Sequence, residues 1–344
     1  MNRRAATKLA LALALAGAAS PLLAQSARAP FRIGLLPELN AHERDVFVAA
    51  MREQNWLKDR DFVLVEPAAA AVRPRQVPSA TKRASEEIGS MTKLLVEQKP
   101  DVILATSTAY ALAVQRVSRT VPVVMWTSGY PVEAGIAERL ARPGKNVTGN
   151  SIYAGTGMWG KLVELLHEAK PGIKRIAVLW DYVPPAFVRE EIVPAHDELL
   201  NAAAKLHVGM QIIEVASSAE AEAALGALGR QSIDGLIITS GWGLSQRRAE
   251  VMRFATERRI PVIVDFRWPA SIDPYPLLVY GASEGELMRT AALYTVRILK
   301  GASAAELPIN LPTKFDLVIN LRTAAALGLK LPMPLRLQAA EVIE

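Results

Sequence analysis

The chain contains no cysteine. That excludes disulfides, thiolate catalysis, Cys-ligated zinc, iron–sulfur clusters and any lipid attached through a cysteine. Histidine is scarce as well, with 4 among 344 residues. None is paired at i, i+4 and there is no H-E-x-x-H, so zinc-hydrolase spacing is missing. His167, His196 and His207 are expected on solvated polar faces or in turns, and His42 just beyond the first strand. No Walker loop occurs. Carboxylate pairs such as Glu86-Glu87 and Glu190-Glu191 are neighbours on helix surfaces. No catalytic constellation follows, and no metal or cofactor is expected.

Long apolar runs are also lacking. Arg3, Arg4 and Lys8 precede a Leu/Ala run from Leu9 to Ala19, broken by Ser20-Pro21 ahead of Leu22-Leu23-Ala24. This is too short for a membrane helix and has the layout of a cleavable export signal, residues 1–24. Removing its three cations lowers the formal charge of +6 to +3, too little to suggest a nucleic-acid partner. The mature protein is expected free in the periplasm, exported by the Sec or the twin-arginine route.

What the chain has is a large apolar content, 51%, and a regular alternation. Strands are expected at Phe31–Leu36, Asp61–Glu66, Asp101–Ala105 and Pro122–Trp126, with helices at His42–Gln54, Lys82–Glu97 and Thr108–Val117. The pattern restarts with strands at Lys174–Trp180, Gly209–Val215, Asp234–Thr239 and Pro261–Asp265. Helices are expected between them, at Pro185–Leu206, Ala219–Leu228 and Leu244–Glu257. Strands alternating with helices of this length mean βαβ units and parallel sheets. The fold class is therefore α/β, with two Rossmann-like lobes of parallel sheet joined by hinge strands. The last seventy residues, with strands at Leu277–Tyr280 and Phe315–Asn320 and a helix at Glu284–Leu299, are too few for a third core. One lobe is expected to comprise 31–147 plus about 281–311, the other 151–274 plus about 315–344. The crossings would fall near Asn146–Ser151, Pro274–Gly281 and Leu311–Phe315, with a ligand cleft between the lobes.

Gly155-Thr156-Gly157-Met158-Trp159-Gly160 imitates a dinucleotide fingerprint, but Thr148–Ala154 before it is no buried strand, so it is taken as a linker and helix start. Open α/β sheets bind ligands at the carboxyl ends of their strands. There the chain places Glu38, Thr106-Ser107-Thr108 and Thr127-Ser128-Gly129-Tyr130 in the first half. The second half offers Asp181-Tyr182, Ser240-Gly241-Trp242 and Asp265-Phe266. Tyr130, Tyr182, Trp242 and Phe266 at equivalent positions suit the flat apolar walls of a cleft.

The segments Pro131-Val132-Glu133-Ala134-Gly135, Arg142-Pro143-Gly144-Lys145-Asn146-Val147-Thr148-Gly149, Arg297-Ile298-Leu299-Lys300-Gly301 and Leu317-Val318-Ile319-Asn320-Leu321 carry a more specific likeness. On them the chain resembles the periplasmic substrate-binding proteins of ABC importers, in the subfamily with tryptophan- and tyrosine-type binders. The resemblance implies a type I periplasmic binding fold, usually monomeric and not an enzyme, that closes on a small solute and docks on a membrane permease. It implies that the segment Thr106–Thr108 faces the solute's carboxylate. The family's Thr-Asp-Pro-Val loop has Tyr130 at its acidic position here, which leaves Glu38, Asp181 or Asp265 to meet an ammonium. The expected ligand-binding residues are Ser107 and Thr108 as carboxylate donors with Thr127 assisting, and Tyr130, Tyr153 and Trp242 as walls. Asp181 and Asp265 are expected as polar partners, with Glu38 and Tyr280 at the rim or hinge. The solute is expected to be carboxylated and partly apolar or aromatic. A sensor presenting its closed state to a membrane kinase or chemoreceptor is the alternative.

Overall fold

The computed structural model describes residues 29–36, 39–67, 82–153, 157–181, 189–215, 217–239, 244, 247–268 and 272–344. The expected export signal lies outside the described residues. Among those described, no helix is long and apolar enough to cross a membrane.

Short Val/Ile/Leu runs buried on both faces make the centre of each sheet, the pattern of parallel strands covered by helices. The first sheet contains β1 (Phe31–Leu36), β2 (Phe62–Val65), β3 (Val102–Ala105), β4 (Val123–Met125) and β5 (Val147–Gly149). Their order is β2-β1-β3-β4-β5 and every pair is parallel. The helices α1 (Ala41–Glu53), α2 (Lys82–Glu97) and α3 (Thr108–Val117) connect these strands. A capping box opens α1. The Asn40 Oδ1 accepts the Glu43 N–H at 2.9 Å and the Glu43 carboxylate accepts the Asn40 N–H at 2.9 Å, so two orphan donors are satisfied together.

After β5 the chain crosses over and lays α4 (Met158–Ala169) on a second sheet. Its strands are β6 (Arg175–Asp181), β7 (Gly209–Val215), β8 (Gly235–Ile238), β9 (Val262–Val264), β10 (Leu278–Ala282), β11 (Phe315–Asn320) and β12 (Glu341–Ile343). The order is β12-β11-β10-β9-β8-β6-β7, with β10 and β11 antiparallel and the other pairs parallel. Between its strands run α5 (Arg189–Lys205), α6 (Ser218–Leu228) and α7 (Arg248–Glu257). From β10 the chain returns to the first lobe as α8 (Glu284–Leu299), whose Leu287, Met288 and Ala291 join a core with Leu35, Phe47 and Met51. It then comes back as β11, followed by α9 (Leu321–Leu327) and α10 (Met333–Leu337).

The α/β class and its two largely parallel sheets agree with the sequence reading, and α2, α3 and β11 have the predicted ends. Two strands were not legible. Both β5 and β12 are three residues long and lie at sheet edges, too short for a hydrophobic period to show. His196 departs from expectation too. It is half-buried, with its ring edge-on to Trp180 at 4.7 Å between centroids and a buried Nε2 that has no hydrogen-bond partner. Burial lowers its pKa below the ordinary histidine value, against the pull of Glu214 and Asp197.

Three crossings join the lobes, and Asn150 fastens them. It is fully buried. Its Nδ2 donates to the carbonyls of Trp126 and Leu287, both at 2.9 Å, and its Oδ1 accepts from Asn310 Nδ2 at 3.0 Å. One side chain thereby ties β4, α8 and the return segment together.

Candidate functional site

The C-terminal ends of β3 and β4 build the first lobe's part of the site. The Thr106 N–H donates to Leu36 O at 3.0 Å and Thr127 Oγ1 donates to Thr106 O at 2.5 Å, which locks the two strand ends side by side. Ser107 is the N-cap of α3 in extended conformation, but its side chain makes no capping bond. Its Oγ is buried and has no hydrogen-bond partner among the described residues. A hydroxyl in that position, beside the N–H groups of a helix start, can donate together with them to an anion.

Thr108 behaves differently. Its Oγ1 lies 2.9 Å from Ser128 Oγ, accepts the Gly129 N–H at 3.2 Å and reaches Gly129 O at 3.3 Å. It is the fastener of the 127–130 loop. That loop ends on Tyr130 at φ +49°, a left-handed conformation that bulky residues rarely adopt without compensating contacts. A ring contact accompanies it: Tyr130 and Tyr153 lie 4.8 Å apart between centroids, tilted by 32°. A Cβ on Gly129 would sit 3.0 Å from Tyr153 Cε2, so the loop's close approach depends on glycine.

Tyr153 is the bridge between the lobes. Its ring continues into Trp159 at 5.2 Å, and Trp159 into Trp180 at 4.7 Å. Its hydroxyl donates to Asp265 Oδ2 at 3.3 Å. Burial pushes the Tyr153 phenol well above its ordinary pKa, and the nearby Asp265 adds to that, so it remains a donor at neutral pH.

In the second lobe Asp181 ends β6 and Asp265 follows β9, and both are buried. The Asp181 N–H donates to Thr239 Oγ1 and the Leu244 N–H donates to Asp181 Oδ2, each at 2.9 Å. A Cβ on Gly281 would meet Asp265 O at 2.0 Å, so the segment bearing Asp265 closes onto β10 over a bare backbone. Arg248, at the start of α7, was not anticipated. Its guanidinium lies over the Trp268 ring, with Cζ 5.2 Å from the centroid. Burial lowers its pKa, while Asp181 and Asp265 act to raise it. The Arg247-Arg248 pair was visible in the sequence, but which of the two turns inward was not.

The structure thus gathers Ser107, Thr108, Thr127, Tyr130, Tyr153, Asp181 and Asp265 at the carboxyl ends of the two sheets. Tyr280 stands apart on β10, stacked on Phe315 at 5.8 Å. Glu38, Tyr182, Trp242 and the start of the Gly155–Gly160 segment lie outside the described residues. No group of three or more metal-ligating side chains occurs among the described residues.

The model of the ABC transporter substrate binding protein family matches residues 76–343. The chain belongs to that family. It is a binding protein and not an enzyme. It is 27% identical over 284 residues to a tyrosine-binding protein of Clostridioides difficile (strain R20291), covering 83% of this chain and 76% of that one. Among solved structures, the ABC domain in complex with L-Trp from Streptococcus pneumoniae superposes with a TM-score of 0.69 at 20% identity. It covers 91% of this chain and 100% of that one. A conserved domain protein from Vibrio cholerae gives 0.70 at 21%, covering 91% and 99%. A ligand-free, open substrate-binding protein with adhesive properties from Clostridium difficile gives 0.61 at 24%, covering 91% and 99%. At these identities the structural likeness speaks for the fold, a type I periplasmic binding protein.

Proposed function

We propose that this substrate-binding protein captures a small carboxylated solute with an aromatic body, best matched by an aromatic α-amino acid. It would deliver the solute to a membrane ABC permease from the periplasm, as a monomer, after loss of residues 1–24. The observation that carries the reading is Ser107: a buried hydroxyl with no hydrogen-bond partner among the described residues at the start of α3, one loop away from the packed Tyr130 and Tyr153 rings. A carboxylate satisfies the hydroxyl and the helix N–H groups, and an aromatic ring packs against the tyrosine wall.

Asp265 and Asp181 supply the opposite charge that a desolvated ammonium requires. They stand in for the acidic residue whose place Tyr130 takes. Thr108 and Thr127 act by shaping the loop. Residues 31–147 with about 281–311 move against 151–274 with about 315–344. Binding stabilises the closed arrangement over the open one, and the permease reads that difference. The tyrosine-binding relative and the tryptophan-bound neighbour support the aromatic amino-acid class.

The test is a thermal-shift screen of protein unfolded and refolded to strip carried-over solute, against amino acids, aromatic acids and short carboxylates. A ligand at a hundredfold its Kd adds about 2.7 kcal/mol, which raises Tm by several degrees. A selective aromatic hit is expected. A screen silent for all carboxylates overturns the reading.

A further inference from the structure

Two adjacent arginines at the start of α7 have opposite fates. Arg247 is fully engaged: it donates to Ser218 Oγ at 2.6 Å, to Glu250 at 2.6 Å and to Glu222 at 2.7 Å. Arg248 makes no hydrogen bond and no ion pair with any described residue; its contact is the face of Trp268. A guanidinium carries five N–H donors, and a half-buried one whose donors meet no acceptor among the described residues can take one from a ligand. A cation–π contact with the indole uses the charge and none of the N–H groups, which stay available for a bidentate partner.

The position of Arg248 is set by the sheet. β9, β8 and β6 are neighbours. Asp265 follows β9, Asp181 ends β6, and Arg248 opens the helix that joins β8 to β9. All three lie at the same sheet edge, and both carboxylates act electrostatically on Arg248 without pairing with it. The link to the first lobe is short. Asp265 accepts from Tyr153, Tyr153 packs against the tilted Tyr130 ring and against Gly129, and the Gly129 N–H is held by Thr108, next to Ser107.

We propose that Arg248 is the second lobe's receptor for the solute's carboxylate, reaching the same group that Ser107 and the start of α3 hold in the first lobe. One anionic group then ties the two lobes, and closure depends on its presence. This rests on the carboxylate reading of the site and adds to it the residue that converts capture into closure. Asp181 and Asp265 keep the surroundings of Arg248 from attracting bare anions, so the solute must also bring a cationic or hydrogen-bond-donating group.

The experiment compares wild type, Arg248→Lys and Arg248→Gln. The probes are L-tryptophan, L-tyrosine and indole-3-propionate, with L-tryptophanamide and tyramine as partners lacking the carboxylate. Calorimetry gives Kd and small-angle scattering gives the radius of gyration. In wild type the carboxylates should bind and compact the protein, whereas the amide and amine should not compact it. Arg248→Gln should weaken the carboxylates at least thirtyfold and abolish compaction. Arg248→Lys keeps the charge but loses the fork, and should weaken them several-fold; it carries the test if the glutamine variant does not fold. Wild-type affinity and compaction in both variants would reduce Arg248 to a counter-charge for the two aspartates and overturn the inference alone. Compaction of wild type by the amide or amine also overturns it alone. Failure of every probe to bind wild type removes the aromatic carboxylate reading and this inference together.

Discussion

The Tyr153 hydroxyl stands 3.3 Å from Asp265 Oδ2, and this contact joins the segment leaving β5 to the carboxyl edge of the second sheet. Replacing Tyr153 by Phe keeps the ring that Tyr130 and Trp159 pack on and deletes the donor to a buried carboxylate. Loss of one such hydrogen bond costs about 1–3 kcal/mol. Urea unfolding of Tyr153→Phe should show a lowered midpoint with an unchanged slope. An unchanged midpoint would mean that water replaces the phenol at no cost.

Ser107 and Thr108 are adjacent hydroxyls with separable effects. The Ser107 Oγ has no partner among the described residues, so Ser107→Ala should leave Tm nearly unchanged and weaken the solute about tenfold, roughly 1.4 kcal/mol. Thr108→Val keeps the shape but strands the Gly129 N–H and removes the closer partner of the Ser128 hydroxyl. It should cost about 1–3 kcal/mol of stability, read by thermal unfolding without ligand. The reverse pattern would exchange their roles.

The sequence carried the architecture because parallel strands buried on both faces announce themselves as Val/Ile/Leu runs, such as Val102–Ala105 and Gly235–Ile238. It carried the strand-end candidates for the same reason, since those positions follow from where the runs stop. The Arg142–Gly149 motif has a structural explanation. Asn146 Nδ2 donates to Val121 O at 2.7 Å, Lys145 Nζ to Gly135 O at 2.6 Å and Thr148 Oγ1 to Leu307 O at 2.8 Å. A Cβ on Gly149 would collide with Met125 O at 2.2 Å. These residues build the edge strand and the first crossing rather than the candidate site. What sequence could not reveal is long-range pairing: that Arg247 finds Glu222 while Arg248 turns to Trp268, or that Asn150 meets Leu287.

Asn150 offers a test of how the crossings are held. Asn150→Ala removes donors to Trp126 O and Leu287 O and the acceptor for Asn310, all at a fully buried position. Deleting a satisfied buried amide this way should cost at least about 2 kcal/mol. Hydrogen exchange should localise the loosening to β5, the start of α8 and the segment around Asn310. Uniform exchange across both lobes would deny Asn150 its fastening role.

A charged cluster at the start of α8 gives a pH signature. Burial raises the pKa of Glu284 above 4.5, and this outweighs the lowering by Arg267 and His42; Glu43 and Glu341 raise it further. Arg267 is already committed to Glu341 through two bonds of 2.6 Å. A carboxyl whose folded pKa lies above its unfolded value binds its proton more tightly in the native state. Its favourable contribution is complete below the unfolded pKa and is lost as pH rises through the folded one. Glu284→Gln, which mimics the protonated form, should therefore raise Tm at pH 7, and the gain should fade on acidification to about pH 4, where the wild-type carboxyl carries its own proton. Glu341 has the opposite sign, because its bond to Arg267 lowers its pKa. Glu341→Gln should lower Tm at pH 7 and make progressively less difference as acid protonates the wild-type group. Thermal unfolding of the two variants from pH 3.5 to 8 checks both slopes. Parallel curves for wild type and Glu284→Gln would mean that Arg267 compensates Glu284 fully and that burial is not what governs its charge.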